Sequence, residues 1–274
     1  MRLVVNARMY AVNAAVEAHW RELFAWIAIR TAMPLDLVEH PAPALLNALW
    51  QRDDLGAAMM CGYPLASWRS ESRPRPVPVA APSPSPAGFD ARSVYWTDIV
   101  VRADARFERA DDLGGTRFGF TVEDSQSGYQ APRRYFAKRA LELGGSFFAA
   151  MIGPLVTPRR VVESILAGTI DAGPLDAYWH ALLRLHERDT AARLRVVATT
   201  PVTPIPCFAA AAAVPEAIRA RLAEAFAEAG SAPVLNAVRR ELLLAGFERV
   251  QARDYDVLET QARDTDRLGY SRLA

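Results

Sequence analysis

Apolar positions along this chain switch repeatedly between short continuous runs and stretches spaced at three and four residues. Residues 3–9 read as a short buried strand, and residues 14–30 carry Val16, Trp20, Leu23, Phe24 and Ile27 at helical spacing. A second strand over 36–39, a short helix over 42–52 and a third strand over 55–61 follow, the last running into the turn Gly62-Tyr63-Pro64. Strands alternating with helices in this way predict a parallel α/β sheet.

Residues 69–88 break the rhythm with Pro74, Pro76, Pro78, Pro82, Pro84 and Pro86. So many prolines exclude a central strand or helix and leave a surface linker, with 77–81 able to run only at a sheet edge. Residues 93–101 then form a strand long enough to cross between lobes. A second set of elements follows: strand 117–122, helix 128–143, strand 147–152, helix 159–166 and strand 170–172. Residues 194–199 form the returning strand, and 215–229 and 232–245 read as helices. The pattern predicts two α/β lobes, residues 1–98 with 199–274 and residues 99–198, the first completed by the C-terminal helices. No internal repeat of fixed period interrupts this reading.

Length and composition fit that size of fold, with 274 residues and 51% hydrophobic content. Lys and Arg total 32 against 31 Asp and Glu, a balance that gives no field to steer the chain onto nucleic acid or anionic lipid. An anion site must therefore be local. Cys61, Cys207 and the four histidines show no metal-ligand spacing, so neither metal nor cofactor is expected. The two cysteines pair only if the fold brings them together, and buried free thiols are the plainer expectation. The longest apolar run, 207–214, is too short to span a membrane. No secretory leader precedes the first strand, so either one has been removed and the protein is periplasmic, or the chain stays cytosolic.

Candidate chemistry concentrates in Glu123-Asp124-Ser125-Gln126-Ser127-Gly128-Tyr129, which sets hydroxyls and a glycine between a strand and a helix. The first turn of a helix offers unpaired N–H groups and positive dipole potential, so Ser125, Ser127 and the amides of 126–128 can cradle an anion. Glu123 and Asp124 oppose a dianion unless they point away, and a simple helix cap explains the same residues. Asp176 stands at a strand end as either a partner for a ligand amine or an N-cap. Arg133 and Arg134 read as a solvated helix face, and His180 and His186 as surface residues without a carboxylate partner. Gly-x-Ser-x-Gly, His-Glu-x-x-His and P-loop patterns are absent, which leaves catalysis without sequence support.

Four segments in order, 95–102, 110–115, 124–129 and 167–173, resemble the phosphate/phosphonate-binding components of ABC transporters across roughly residues 55–255. That resemblance implies a type II periplasmic-binding-protein fold, two α/β lobes joined by two hinge crossings near Ile99 and Val197 with a ligand cleft between them. It implies a small phosphorus-bearing anion as ligand, an ABC permease as partner, and no nucleic acid or membrane insertion. The family's Ser-Thr-Ser-Gly grip corresponds to Ser125, Gln126, Ser127 and Gly128, with glutamine in the threonine's place. A serine-histidine pair common in the family is replaced by Val156-Thr157-Pro158, leaving Thr157 as the donor. Tyr10, Tyr63, Tyr95 and Trp96 are the candidate cleft aromatics, each also open to a plain core role. An enzyme on the same scaffold and a cytosolic ligand-sensing module are the alternatives.

Overall fold

The computed structural model describes residues 2–70 and 73–274; Met1 and two residues of the Pro-rich stretch lie outside the described residues. Its chain divides into two compact units, residues 1–94 with 204–256 and residues 95–203 with 257–274.

The first unit opens with β1 (Leu3–Asn6), α1 (Ala14–Thr31), β2 (Leu35–Leu37), α2 (Leu46–Trp50), β3 (Leu55–Met60), α3 (Gly62–Ala66) and β4 (Val77–Pro84). β1 pairs in parallel with β2 and β3, as alternation predicts. α1 buries Val16, Trp20, Leu23, Phe24 and Ile27, the stripe read from the sequence. Asn13 caps it, its side chain accepting from the Val16 N–H at 3.1 Å.

After β5 (Val94–Tyr95), which straddles the boundary, the second unit holds β6 (Thr97–Arg102), β7 (Arg117–Gly119), α4 (Ala131–Glu142), β8 (Ala150–Ile152), α5 (Pro158–Leu166), β9 (Ala172–Asp176), α6 (Ala177–His186), α7 (Arg188–Ala192) and β10 (Leu194–Thr199). Five of its strands form one sheet in the order β10-β6-β9-β7-β8, with β7 parallel to β8 and β9, and β6 antiparallel to β9 and β10. The chain then returns through β11 (Thr203–Pro204), β12 (Cys207–Ala210), α8 (Glu216–Ala229), α9 (Asn236–Glu241) and β13 (Leu244–Glu248), and ends in α10 (Asp256–Arg267). β12 and β13 complete the first unit's sheet, β13-β4-β12-β3-β1-β2.

Four expectations change. β4 is an interior strand between β12 and β13 despite its prolines. Pro78 and Pro84 stand opposite Ala209 and Leu244, where the ladders shift register, so the missing N–H groups fall where regular pairing already lapses. The helix expected over 232–245 stops at Glu241, and Leu243, with φ +51°, turns the chain into β13. There Gly246 lets the strand approach Gly230 closely; a Cβ on Gly230 would lie 3.1 Å from the Gly246 Cα.

The crossings between units fall at Val94/Tyr95 and Thr203/Pro204, which pair as β5 and β11, whereas Ile99 and Val197 sit inside the second unit's sheet. Residues 257–274, expected with the first lobe, pack with the second. Tyr270 and Leu273 join the aromatic core of Phe118, Phe136, Phe147 and Phe148, and the Phe147 N–H donates to the Ala274 carbonyl at 2.9 Å. The few apolar side chains of this otherwise polar tail, Leu258, Tyr270 and Leu273 among them, are buried, and that burial overrides chain order.

Candidate functional site

β7 ends at Gly119, and the chain turns at Thr121 into a helix that starts with one π turn, Gln126–Gln130, and continues as α4. π turns within helices recur at functional sites because they displace backbone groups from regular pairing. Ser125 is the N-cap: its hydroxyl oxygen accepts the Gly128 N–H at 3.0 Å and its proton stays available to donate. Thr97 Oγ1, at the start of β6, donates to the Ser127 carbonyl at 3.1 Å. Gln130 Nε2 donates back to the Glu123 carbonyl at 2.7 Å, closing the loop on itself.

Gly128 is sterically required. A Cβ there would stand 1.8 Å from Thr121 Oγ1 and 2.9 Å from Ser125 Oγ, so two hydroxyls converge where any other residue's side chain would begin. Thr121 is buried and its hydroxyl has no hydrogen-bond partner.

Asp176 ends β9 opposite Thr97 and caps α6, Oδ1 accepting the N–H groups of Tyr178 at 2.9 Å and Trp179 at 3.0 Å. The Ala177 N–H donates to the Trp96 carbonyl at 3.0 Å, which fixes Trp96 beside the same helix start. Thr157 caps α5, accepting the Arg160 N–H at 3.2 Å, and the Val156 N–H bonds the Thr121 carbonyl at 3.0 Å. Trp96, the 125–128 turn, Thr157 and Asp176 thus gather at the carboxyl end of the parallel strands β7, β8 and β9, the end where open α/β sheets hold ligands. Tyr95 is buried at the adjoining crossing. Tyr10 and Tyr63 belong to the other unit, at the carboxyl ends of β1 and β3; Tyr10 is buried and Tyr63 half-buried.

Asp124 is exposed overall, and partial desolvation raises its carboxyl above the ordinary range. Among the described residues no group of three His, Cys, Asp or Glu is placed to hold a metal, and no helix is long and apolar enough to cross a membrane. Cys61 and Cys207 are free and buried.

Two residues read as surface groups are buried. Arg133 bonds Gln130 Oε1 at 3.1 Å, Asp266 at 2.5 Å, and the carbonyls of Tyr270 at 2.9 Å and Ala262 at 3.0 Å. Its neighbour Arg134 is exposed, as expected. His180 Nδ1 lies 2.7 Å from Asp98 Oδ2, both side chains enclosed, while His186 is half-buried. The sequence carried one signal of the second pair, a charge at Asp98 within an otherwise apolar strand; Thr121, Gln130 and Arg133 carried none.

The sequence profile of the family described as "ABC transporter, phosphonate, periplasmic substrate-binding protein" matches residues 10–255. The chain belongs to that family. This binding protein is similar in fold to a binding-protein component of an ABC phosphonate transporter from Pseudomonas aeruginosa, with a TM-score of 0.80 at 14% identity over 97% of this chain and 87% of that one. PhnD1 of Prochlorococcus marinus, solved with methylphosphonate, gives 0.79 at 16% identity over 96% and 98%. A Xanthomonas citri protein solved with ATP gives 0.66 at 15% identity over 97% and 98%. Curated proteins offer no sequence match. The binding protein is therefore a solute-binding component of the ABC-transporter type, built on the periplasmic-binding-protein fold.

Proposed function

We propose that this binding protein takes up a small phosphorus oxyanion, phosphonate, phosphate or phosphite, at the Ser125–Gly128 turn and presents it to an ABC permease in the periplasm. The observation that carries this reading is the turn itself: a capped helix start with a glycine that admits no side chain, flanked by three hydroxyl-bearing residues, Thr121, Ser125 and Ser127. First-turn amides and the helix dipole favour an anion there without any paired cation. Gln126 supplies an amide in place of a hydroxyl, and Thr157 a hydroxyl in place of an imidazole. Trp96 and Tyr95 of the second unit are the apolar cover for the ligand's organic part, and Tyr10 and Tyr63 are further candidates within the first unit. Asp176 can favour a ligand amine, although its Oδ1 already caps α6.

Thermal unfolding against phosphate, phosphite, methylphosphonate, 2-aminoethylphosphonate, sulfonates and amino acids tests the proposal, because a ligand of the folded state raises the midpoint. A selective rise with phosphorus oxyanions is expected. Replacing Ser125 and Ser127 together by alanine is expected to weaken that binding by about 2–4 kcal/mol. Unchanged affinity with lowered stability would reduce the turn to a cap. Chemically unchanged ligand after prolonged incubation is expected of a binder rather than a catalyst.

A further inference from the structure

Trp96, half-buried just before β6, is held through its indole N–H. Its indole Nε1–H donates to Asp98 Oδ1 at 2.9 Å. The other oxygen of the same carboxylate, Oδ2, takes His180 Nδ1 at 2.7 Å, and the exposed Arg184 guanidinium comes within 4.0 Å of it. Asp98 and His180 side chains are 6% and 2% exposed. Residues 96 and 98 project to one side of the chain and Thr97 to the other, where it bonds the anion turn. One short stretch therefore braces the turn with one residue and an aromatic ring with the next pair.

A half-buried indole on a free χ2 would sample several orientations and lose that freedom on binding. A buried carboxylate accepting the ring N–H removes it beforehand, and His180 fixes the carboxylate in turn. We propose that Asp98, backed by His180, is the positioning residue for Trp96, and that it thereby sets affinity for the organic substituent of the ligand and not for its oxyanion. This rests on the reading that Trp96 covers a ligand held at the Ser125–Gly128 turn. Asp98 itself touches no ligand; it acts through the ring.

A double-mutant cycle on binding measured by calorimetry, with methylphosphonate and inorganic phosphate as probes, decides the matter. Trp96→Phe keeps a ring and loses the N–H, and Asp98→Asn keeps the shape and loses the charge. Each is expected to weaken methylphosphonate binding by about tenfold, the size of one charge-assisted bond, and the double variant by little more than either. Phosphate, which lacks an organic substituent, is expected to change less than about twofold in all three. The indole N–H resonance lost in Trp96→Phe is expected to shift in Asp98→Asn. If Asp98→Asn fails to fold, His180→Leu, which removes the donor behind the carboxylate, replaces it in the cycle.

Additive losses, or equal losses for both probes, overturn the proposal by showing that Asp98 acts on the site without Trp96. Unchanged binding in Trp96→Phe, alongside loss in the Ser125/Ser127 double variant, overturns it while the anion turn stands. Failure of the wild-type protein to bind either probe overturns both readings together.

Discussion

Gly128 and Thr121 share a space that admits only one side chain, which makes the Ser125–Gly128 turn sensitive to a single methyl group. Gly128→Ala is expected to cost about 1–3 kcal/mol of stability through forced displacement and at least about tenfold in ligand affinity. Adding Thr121→Ala, which removes the nearest clashing atom, is expected to recover part of both; unfolding midpoints and calorimetry measure it. A second residue-scale expectation concerns Cys207. Burial pushes its thiol up to about 12, with a hydrogen bond to Tyr255 acting in the opposite direction. An unfolded thiol ionises near about 8.5. The folded state therefore keeps a proton that the unfolded state loses, so this stabilisation is complete below that value and declines as pH rises towards the folded one. The decline amounts to about 1.4 kcal/mol per pH unit. Denaturant unfolding between pH 8 and 11 is expected to show a shallower alkaline fall in Cys207→Ala than in the wild type; equal slopes would mean that the thiol is not enclosed.

At the scale of elements, the helix that begins with the Ser125–Gly128 turn is tied at its second turn to residues 257–274. Gln130 links Glu123 to Arg133, and Arg133 links α4 to Asp266 and the carbonyls of Ala262 and Tyr270. Tyr129, inside the π turn, accepts the Leu273 N–H through its hydroxyl at 3.2 Å. Arg133→Met removes a buried donor from both carbonyls and the partner of Asp266. It is expected to lower stability by about 3 kcal/mol, with the half-exposed Asp266 reducing the electrostatic share. Hydrogen exchange is expected to rise first in residues 257–274 and in the turn. Protection unchanged in both would show that the tail docks by its apolar residues alone. The prolines of β4 make the complementary point. Local propensity excluded an interior strand, but burial between β12 and β13 at register shifts overrode it.

Across the whole molecule, each compact unit draws on separated stretches of chain, so no continuous segment is a unit by itself. A fragment of residues 95–203 is expected to stay poorly folded, because Phe136, Phe147 and the buried Arg133 lose the tail that covers them. The same fragment joined by a flexible Gly/Ser linker to residues 257–274 is expected to regain cooperative unfolding by circular dichroism. Equal folding with and without the tail would refute its structural part. By itself the sequence determined the alternation of strands and helices, the two-lobed α/β class, the family and the serine turn. These rest on apolar periodicity and on contiguous residues, and both are local properties of a chain. Only the tertiary structure decided that β4 is interior, that the tail belongs to the second unit, and that His180 and Arg133 are buried beside Asp98 and Asp266. Those outcomes depend on which residues meet across 82 and 133 positions of chain. Burial and hydrogen-bond partners are settled by packing, and no local period records it.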